Sequence, residues 1–132
     1  MSVTYEINGH ITAEEAIGVL RAGDFLRPLD SVERVDRMLR HADVLVTARD
    51  GERLAGYVRA LTDYSYYCLI AEIAVYPEYQ RQGIGRELLE RVRREAGDEV
   101  NMVLTASENA DTWYPHLGWE RMERAWRLRR SR

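Results

Sequence analysis

Two arginines and two glycines stand close together in the run Gln80-Arg81-Gln82-Gly83-Ile84-Gly85-Arg86. Arginine forks onto phosphate oxygens, and glycine leaves its backbone amide bare of a Cβ. Apolar residues then recur four apart at Ile84, Leu88, Val92 and Ala96, with Leu89 widening the stripe, so the glycines sit where a helix begins. The first amides of a helix lack intrahelical acceptors and, with the macrodipole, favour an anion. The chemistry this suggests is the holding of a phosphate group. The plainer reading is that the glycine pair only makes a tight turn from strand to helix.

Two well-known phosphate loops do not fit. A Walker loop needs Gly-Lys-Ser/Thr, and here Arg86-Glu87 follows the second glycine; a dinucleotide fingerprint needs a third glycine, where Leu88 stands. What is left is Q-x-x-G-x-G after a strand, the apolar run Ile70-Ala71-Glu72-Ile73-Ala74-Val75 that breaks at Pro77. Other chemistries have less behind them. Cys68 is the single cysteine, flanked by strand-like neighbours, and points to a reducing compartment. His10, His41 and His116 are scattered without ligand spacing, so no metal site is implied. A net charge of -3 argues against general nucleic-acid binding, although Arg127, Arg129, Arg130 and Arg132 make the last residues basic. No stretch is long and apolar enough to span a bilayer and no leader pattern opens the chain, so the expectation is a cytoplasmic protein.

The elements that must position the loop follow from local signals. At 132 residues the expectation is one domain, 1–132, with one core. Residues 3–7 read as a strand turned by Asn8-Gly9. Thr12 and Glu15 form a capping box for a helix that Gly23 ends, and Ser31 caps a second with Val32, Val35, Met38, Leu39 and Ala42 on one face. Strands at 44–48 and 54–61 join at Asp50-Gly51, and a third at 66–75 completes an antiparallel meander. On the following helix Glu87 precedes Arg91 and Glu90 precedes Arg94 by four, the favourable pairing. A strand at 100–105, a helix ending near Leu117 and a last strand at 120–129 follow. The predicted order is β-α-α-β-β-β-α-β-α-β.

The loop at 80–85 with its strand and helix resembles the acetyl-coenzyme A pyrophosphate loop of the GNAT superfamily of N-acetyltransferases. The segment Asn109-Ala110-Asp111-Thr112-Trp113-Tyr114-Pro115-His116-Leu117-Gly118-Trp119 looks like the same family's asparagine, tyrosine, then Leu-Gly-aromatic stretch. The element order matches as well. The resemblance implies an α/β fold with a mixed, mostly antiparallel sheet, splayed central strands and flanking helices. The chain departs from the pattern at Pro115, which removes a helix hydrogen bond unless it lies in a first turn.

The resemblance also implies roles. The main chain of Ile73, Ala74 and Val75 holds pantetheine, the amides of Arg81, Gln82, Gly83, Ile84, Gly85 and Arg86 hold the pyrophosphate, and Asn109 reaches the cofactor from the far side. An amine attacks the thioester of acetyl-CoA directly, and Tyr114 donates a proton to the departing thiolate. Glu72, on the face opposite Ile73, is a candidate base, since a carboxylate among Ile70, Ala71 and Ile73 suits proton abstraction; equally it pairs with an arginine on a neighbouring strand. Asp63 and Tyr64 are candidates for shaping the acceptor site. The aromatic or apolar segments at 25–30 and 63–67 suit a small amine with an apolar body. A non-catalytic acetyl-CoA sensor or interaction module is the alternative. The aromatic surface of Trp113, Trp119, Trp126 and Leu128 points to a homodimer.

Overall fold

The computed structural model describes residues 2–23 and 29–131. The connector expected to help choose the acceptor therefore lies, over residues 25–28, outside the described residues. The elements are β1 (Val3–Ile7), α1 (Ala13–Ala22), α2 (Val32–Arg40), β2 (Val44–Asp50), β3 (Arg53–Thr62), β4 (Tyr67–Val75), α3 (Ile84–Ala96) and β5 (Asn101–Val103), with short 3-10 turns between. The strands lie in chain order, antiparallel from β1 to β4 and parallel between β4 and β5. Helices cover both faces. Under α3 lies a core of Val44, Val46, Val58, Ala60, Cys68, Ile70 and the buried helix stripe; under α1 and α2 lies another, with Leu20, Val35, Leu45, Tyr57 and Ala74. Each fully buried Leu or Val contributes about 1.5–3 kcal/mol by its removal from water.

Local signals set the helix ends. Thr12 Oγ1 accepts the Glu15 N–H at 3.0 Å while the Glu15 carboxylate accepts the Thr12 N–H at 3.0 Å, closing the capping box. Ser31 caps α2 and Gly23 ends α1. Val32 departs from its expected face and is 45% exposed, because it opens α2 ahead of the buried turn at Val35. On α3 the Glu87–Arg91 pair forms, but Arg94 also turns to Glu87 rather than to Glu90.

Glu15 does a second job. Arg49 donates to both of its oxygens, at 2.8 and 3.0 Å, tying α1 to β2. With the Thr12 N–H, those bonds hold the Glu15 carboxyl down at about 2. A depressed folded value gives stability that is full above the unfolded value, near 4.5, and lost as pH falls towards 2. Partial exposure limits the gain to about 1 kcal/mol. Glu15→Gln is expected to lower the melting temperature at pH 7, with the gap to the parent closing between about pH 4.5 and 2; an equal gap at both ends of that window contradicts the linkage.

Two expected elements differ past β5. The helix ending at Leu117 is instead a pair of 3-10 turns, Glu108–Ala110 and Tyr114–Leu117, because Pro115 supplies no N–H and the remaining amides reach back only three residues, as Trp113 does to Ala110 and His116 to Trp113. The last strand at 120–129 does not form. Trp126 is 95% and Leu128 99% exposed, since no described strand lies beside the segment to pair it. Trp113 and Trp119 pack inward against the core under α3.

Candidate active site

The geometry at the start of α3 rests on two left-handed residues. Arg81 has φ 63° and Gly83 has φ 82°, which turn the chain sharply before the helix. Gly83 is the N-cap and makes no side-chain cap; the first helical bond is Glu87 N–H to the Gly83 carbonyl at 3.0 Å. The amides of Ile84, Gly85 and Arg86 therefore have no backbone acceptor among the described residues. Arg81 and Arg86 are exposed and make no ion pair among them either, in contrast to Arg91 and Arg94. The two glycines differ. A Cβ on Gly83 meets nothing within 4 Å, so its outer side is open; a Cβ on Gly85 lies 3.0 Å from the ring of Trp113, so Gly85 is needed for packing. Gln80 ties the loop to the sheet: its Nε2 donates to the Val75 carbonyl at 3.0 Å. Nothing in the spacing alone signals that tether.

Strand β4 supplies a free edge. It pairs with β5 only over Tyr67, Cys68 and Leu69. At Ala71 the β3 pairing skips a residue, with Ala60 opposite Ile70 but Arg59 opposite Glu72, so β4 carries a bulge where it parts from β5. The Tyr76 N–H bonds the Ala55 carbonyl on β3, and the two-residue period then turns Ala74 to β3 and Ile73 and Val75 to the open edge. The edge and the amides of α3 thus stand at the two ends of one strand–loop–helix unit.

Glu72 sits on the α1/α2 face and its side chain is fully buried. Arg59 on β3 grips it with Nε and Nη2, each at 2.8 Å, and the Tyr57 hydroxyl donates to it at 2.8 Å. Of the two readings of Glu72, the pairing with an arginine on a neighbouring strand is present. Tyr57 and Arg59 were not singled out from the sequence; their two-residue spacing on β3 marks one shared face, but not which β4 residue lies opposite.

Tyr114 is buried with its ring between Trp113 and Trp119, centroids 5.1 and 5.6 Å away. Its hydroxyl has no protein partner among the described residues, and no buried side-chain oxygen among them lacks one, so the hydroxyl reaches solvent. Burial pushes its pKa up, which keeps it protonated at neutral pH. Asn109 is exposed on the turn before it. Asp63 and Tyr64 have structural roles: Asp63 Oδ1 accepts the N–H groups of Ser65, Tyr66 and Tyr67, and the Tyr64 hydroxyl donates to the Asp43 carbonyl. Among the described residues no group of His, Cys, Asp and Glu is placed to hold a metal. Among the described residues no helix is long and apolar enough to cross a membrane.

An opened mixed sheet with a strand–glycine loop–helix unit at its parting point defines a class of acyltransferase-like folds, and comparison with known proteins names it. Residues 40–121 match the family model described as an acetyltransferase (GNAT) domain, and the chain belongs to that family. Over 83 residues it is 40% identical to the mycothiol acetyltransferase of Geodermatophilus obscurus, covering 58% of this chain and 26% of that one. Its fold is shared with a GNAT family acetyltransferase of Streptococcus pneumoniae (TM-score 0.73, 22% identity, 98% of this chain and 100% of that one). It is also shared with an aminoglycoside N-acetyltransferase in complex with CoA (TM-score 0.71, 18% identity, 99% and 97%). The chain spans about half or less of the length of the curated relatives it matches.

Proposed function

We propose that the protein transfers an acetyl group from acetyl-CoA to a primary amine of a small molecule by direct attack. The observation that carries this is the joining of a free β4 edge to a helix start whose amides and two arginines have no partner among the described residues. Acetyl-CoA supplies an activated acetyl thioester. Ile73 offers its N–H and carbonyl along the pantetheine arm and Val75 its N–H, the Val75 carbonyl being taken by Gln80, with Ala74 between them facing β3. The amides from Arg81 through Gln82, Gly83, Ile84 and Gly85 to Arg86 hold the pyrophosphate, and Asn109 closes the far side. That one of the solved neighbours holds CoA on the same fold supports the assignment.

The residues then handle protons. An alkyl ammonium must lose a proton before its nitrogen can attack, which costs about 4 to 5 kcal/mol at neutral pH if nothing assists; the N–C bond then forms as the C–S bond breaks, and a second proton leaves the nitrogen. Glu72, sealed from the surface, acts through water anchored on its cluster with Tyr57 rather than by touching the amine. Tyr114 gives its proton to the departing thiolate, and solvent restores it. The test is thiol release from acetyl-CoA against a panel of small amines. Turnover with at least one amine is expected, and in Glu72→Gln the rising limb of the pH profile should move. Binding of acetyl-CoA without turnover of any amine leaves a sensor instead.

The reaction is placed in the cytoplasm, where the buried Cys68 stays reduced. The protein is proposed to act as a homodimer. The unpaired tail with exposed Met122, Trp126 and Leu128, and the outer edge of β5, the last strand in the sheet, both call for cover. Light scattering at micromolar concentration is expected to give twice the chain mass; a monomer mass, unchanged by CoA, refutes it.

A further inference from the structure

Among the described residues, nothing covers the β4–β5 end of the sheet face on which α1 and α2 pack. Val58, Ala60, Cys68 and Ile70 pack under α3, so by strand alternation Arg59, Leu61, Tyr67 and Leu69 face the other way. On that face Leu61 lies opposite Leu69, and Leu69 opposite Val103, an apolar shelf across three strands. Its outer part is bare: Tyr67 is 46% and Leu69 41% exposed. At its inner end stands Arg59.

What reaches the surface there is the arginine and not the glutamate. The side chain of Glu72 is 0% exposed and that of Arg59 9%. A guanidinium carries five N–H donors, and Nε and Nη2 each give one to Glu72. Nη1 has no acceptor among the described residues, and no buried side-chain nitrogen among them lacks a partner, so Nη1 is open to solvent. The Glu72–Arg59 pair is neutral as a whole, so it exerts little long-range pull. At short range its remaining N–H groups select an oxygen acceptor, best an anionic one. Of the carboxylates described near this edge, Glu72 is sealed, and Asp63 Oδ1 accepts three amides of its own turn.

We propose, resting on the acetyltransferase reading, that the acceptor is an amino acid with an apolar or aromatic side chain. Its carboxylate lies on the open N–H edge of Arg59 and its side chain on the shelf of Tyr67 and Leu69. The α-amine is thereby held by a group that cannot take its proton, which leaves it to attack the thioester carbon once water has removed that proton. The carboxylate sits apart from Glu72 because the two occupy different edges of one guanidinium.

The experiment compares kcat/KM for phenylalanine with phenethylamine, and for leucine with 3-methylbutylamine, in the same thiol-release assay. Each pair differs by the carboxylate alone. The amino acids should be better by about tenfold or more, the worth of a charge-assisted hydrogen bond. In Arg59→Lys, checked for folding by thermal melting, the ratio should shrink towards one through a higher KM for the amino acid. Equal or better turnover of the decarboxylated amines overturns the proposal and leaves the acetyltransferase reading standing. So does turnover confined to polyamines. Failure of that reading is separate: no heat of CoA binding by calorimetry and no thiol release with any amine.

Discussion

Tyr114→Phe is expected to lower turnover about a hundredfold or more while leaving CoA affinity within a factor of about two. In the proposed mechanism the hydroxyl is required only as the thiolate forms, so its loss falls on the chemical step and not on binding. The structure supports a clean test. The ring keeps its packing between Trp113 and Trp119, and the hydroxyl bonds nothing in the described protein, so the variant should melt with the parent. Because burial raises the phenol's pKa, the group is a proton donor across the neutral range. The parent's activity should therefore not fall through Tyr114 ionisation near neutrality. Unchanged turnover in the variant assigns Tyr114 to the core alone.

Gly83→Val is expected to weaken CoA binding by more than tenfold in calorimetry. Under the proposed pyrophosphate assignment the phosphate approaches the amides through the open space at Gly83, and a branched side chain fills that space. The substitution also carries backbone strain, since φ is 82° and a β-branched residue resists the left-handed region at a cost of about 1–2 kcal/mol. Thermal melting separates the two effects. A folded variant with lost affinity supports the pyrophosphate assignment, and a folded variant that binds CoA as the parent does would falsify it. Gly85 is not an equivalent probe, because a larger residue there first displaces Trp113, the neighbour of Tyr114.

Much of this arrangement is legible in the chain because its signals are local. Thr12 with Glu15, Ser31, Gly23 and the glycine run before Ile84 each act within a turn of where they stand, and the helices begin and end accordingly. The apolar runs of β2, β3 and β4, with the turn at Gly51, determine the meander. Beyond β5 the local signals conflict. The alternating Met122, Trp126 and Leu128 read as a strand, but a strand exists only beside a partner, and residues 120–131 have none in the described chain.

The sequence by itself determined the glycine loop proposed to hold the anion: bare glycines, two arginines and a helix start are all carried by residues within a few positions of each other. Tertiary structure alone decided where Glu72 points. Strict alternation from Cys68 and Ile70 sends it under α3 with them, into an apolar core. The bulge at Ala71 adds one residue and moves Glu72 and Ala74 to the other face, opposite Arg59 and Tyr57. That extra residue is invisible in the composition of β4, because a bulge is a property of two strands in register and not of either one. It also bends β4 just past its last contact with β5, so the same long-range pairing that buries the glutamate opens the edge beside it.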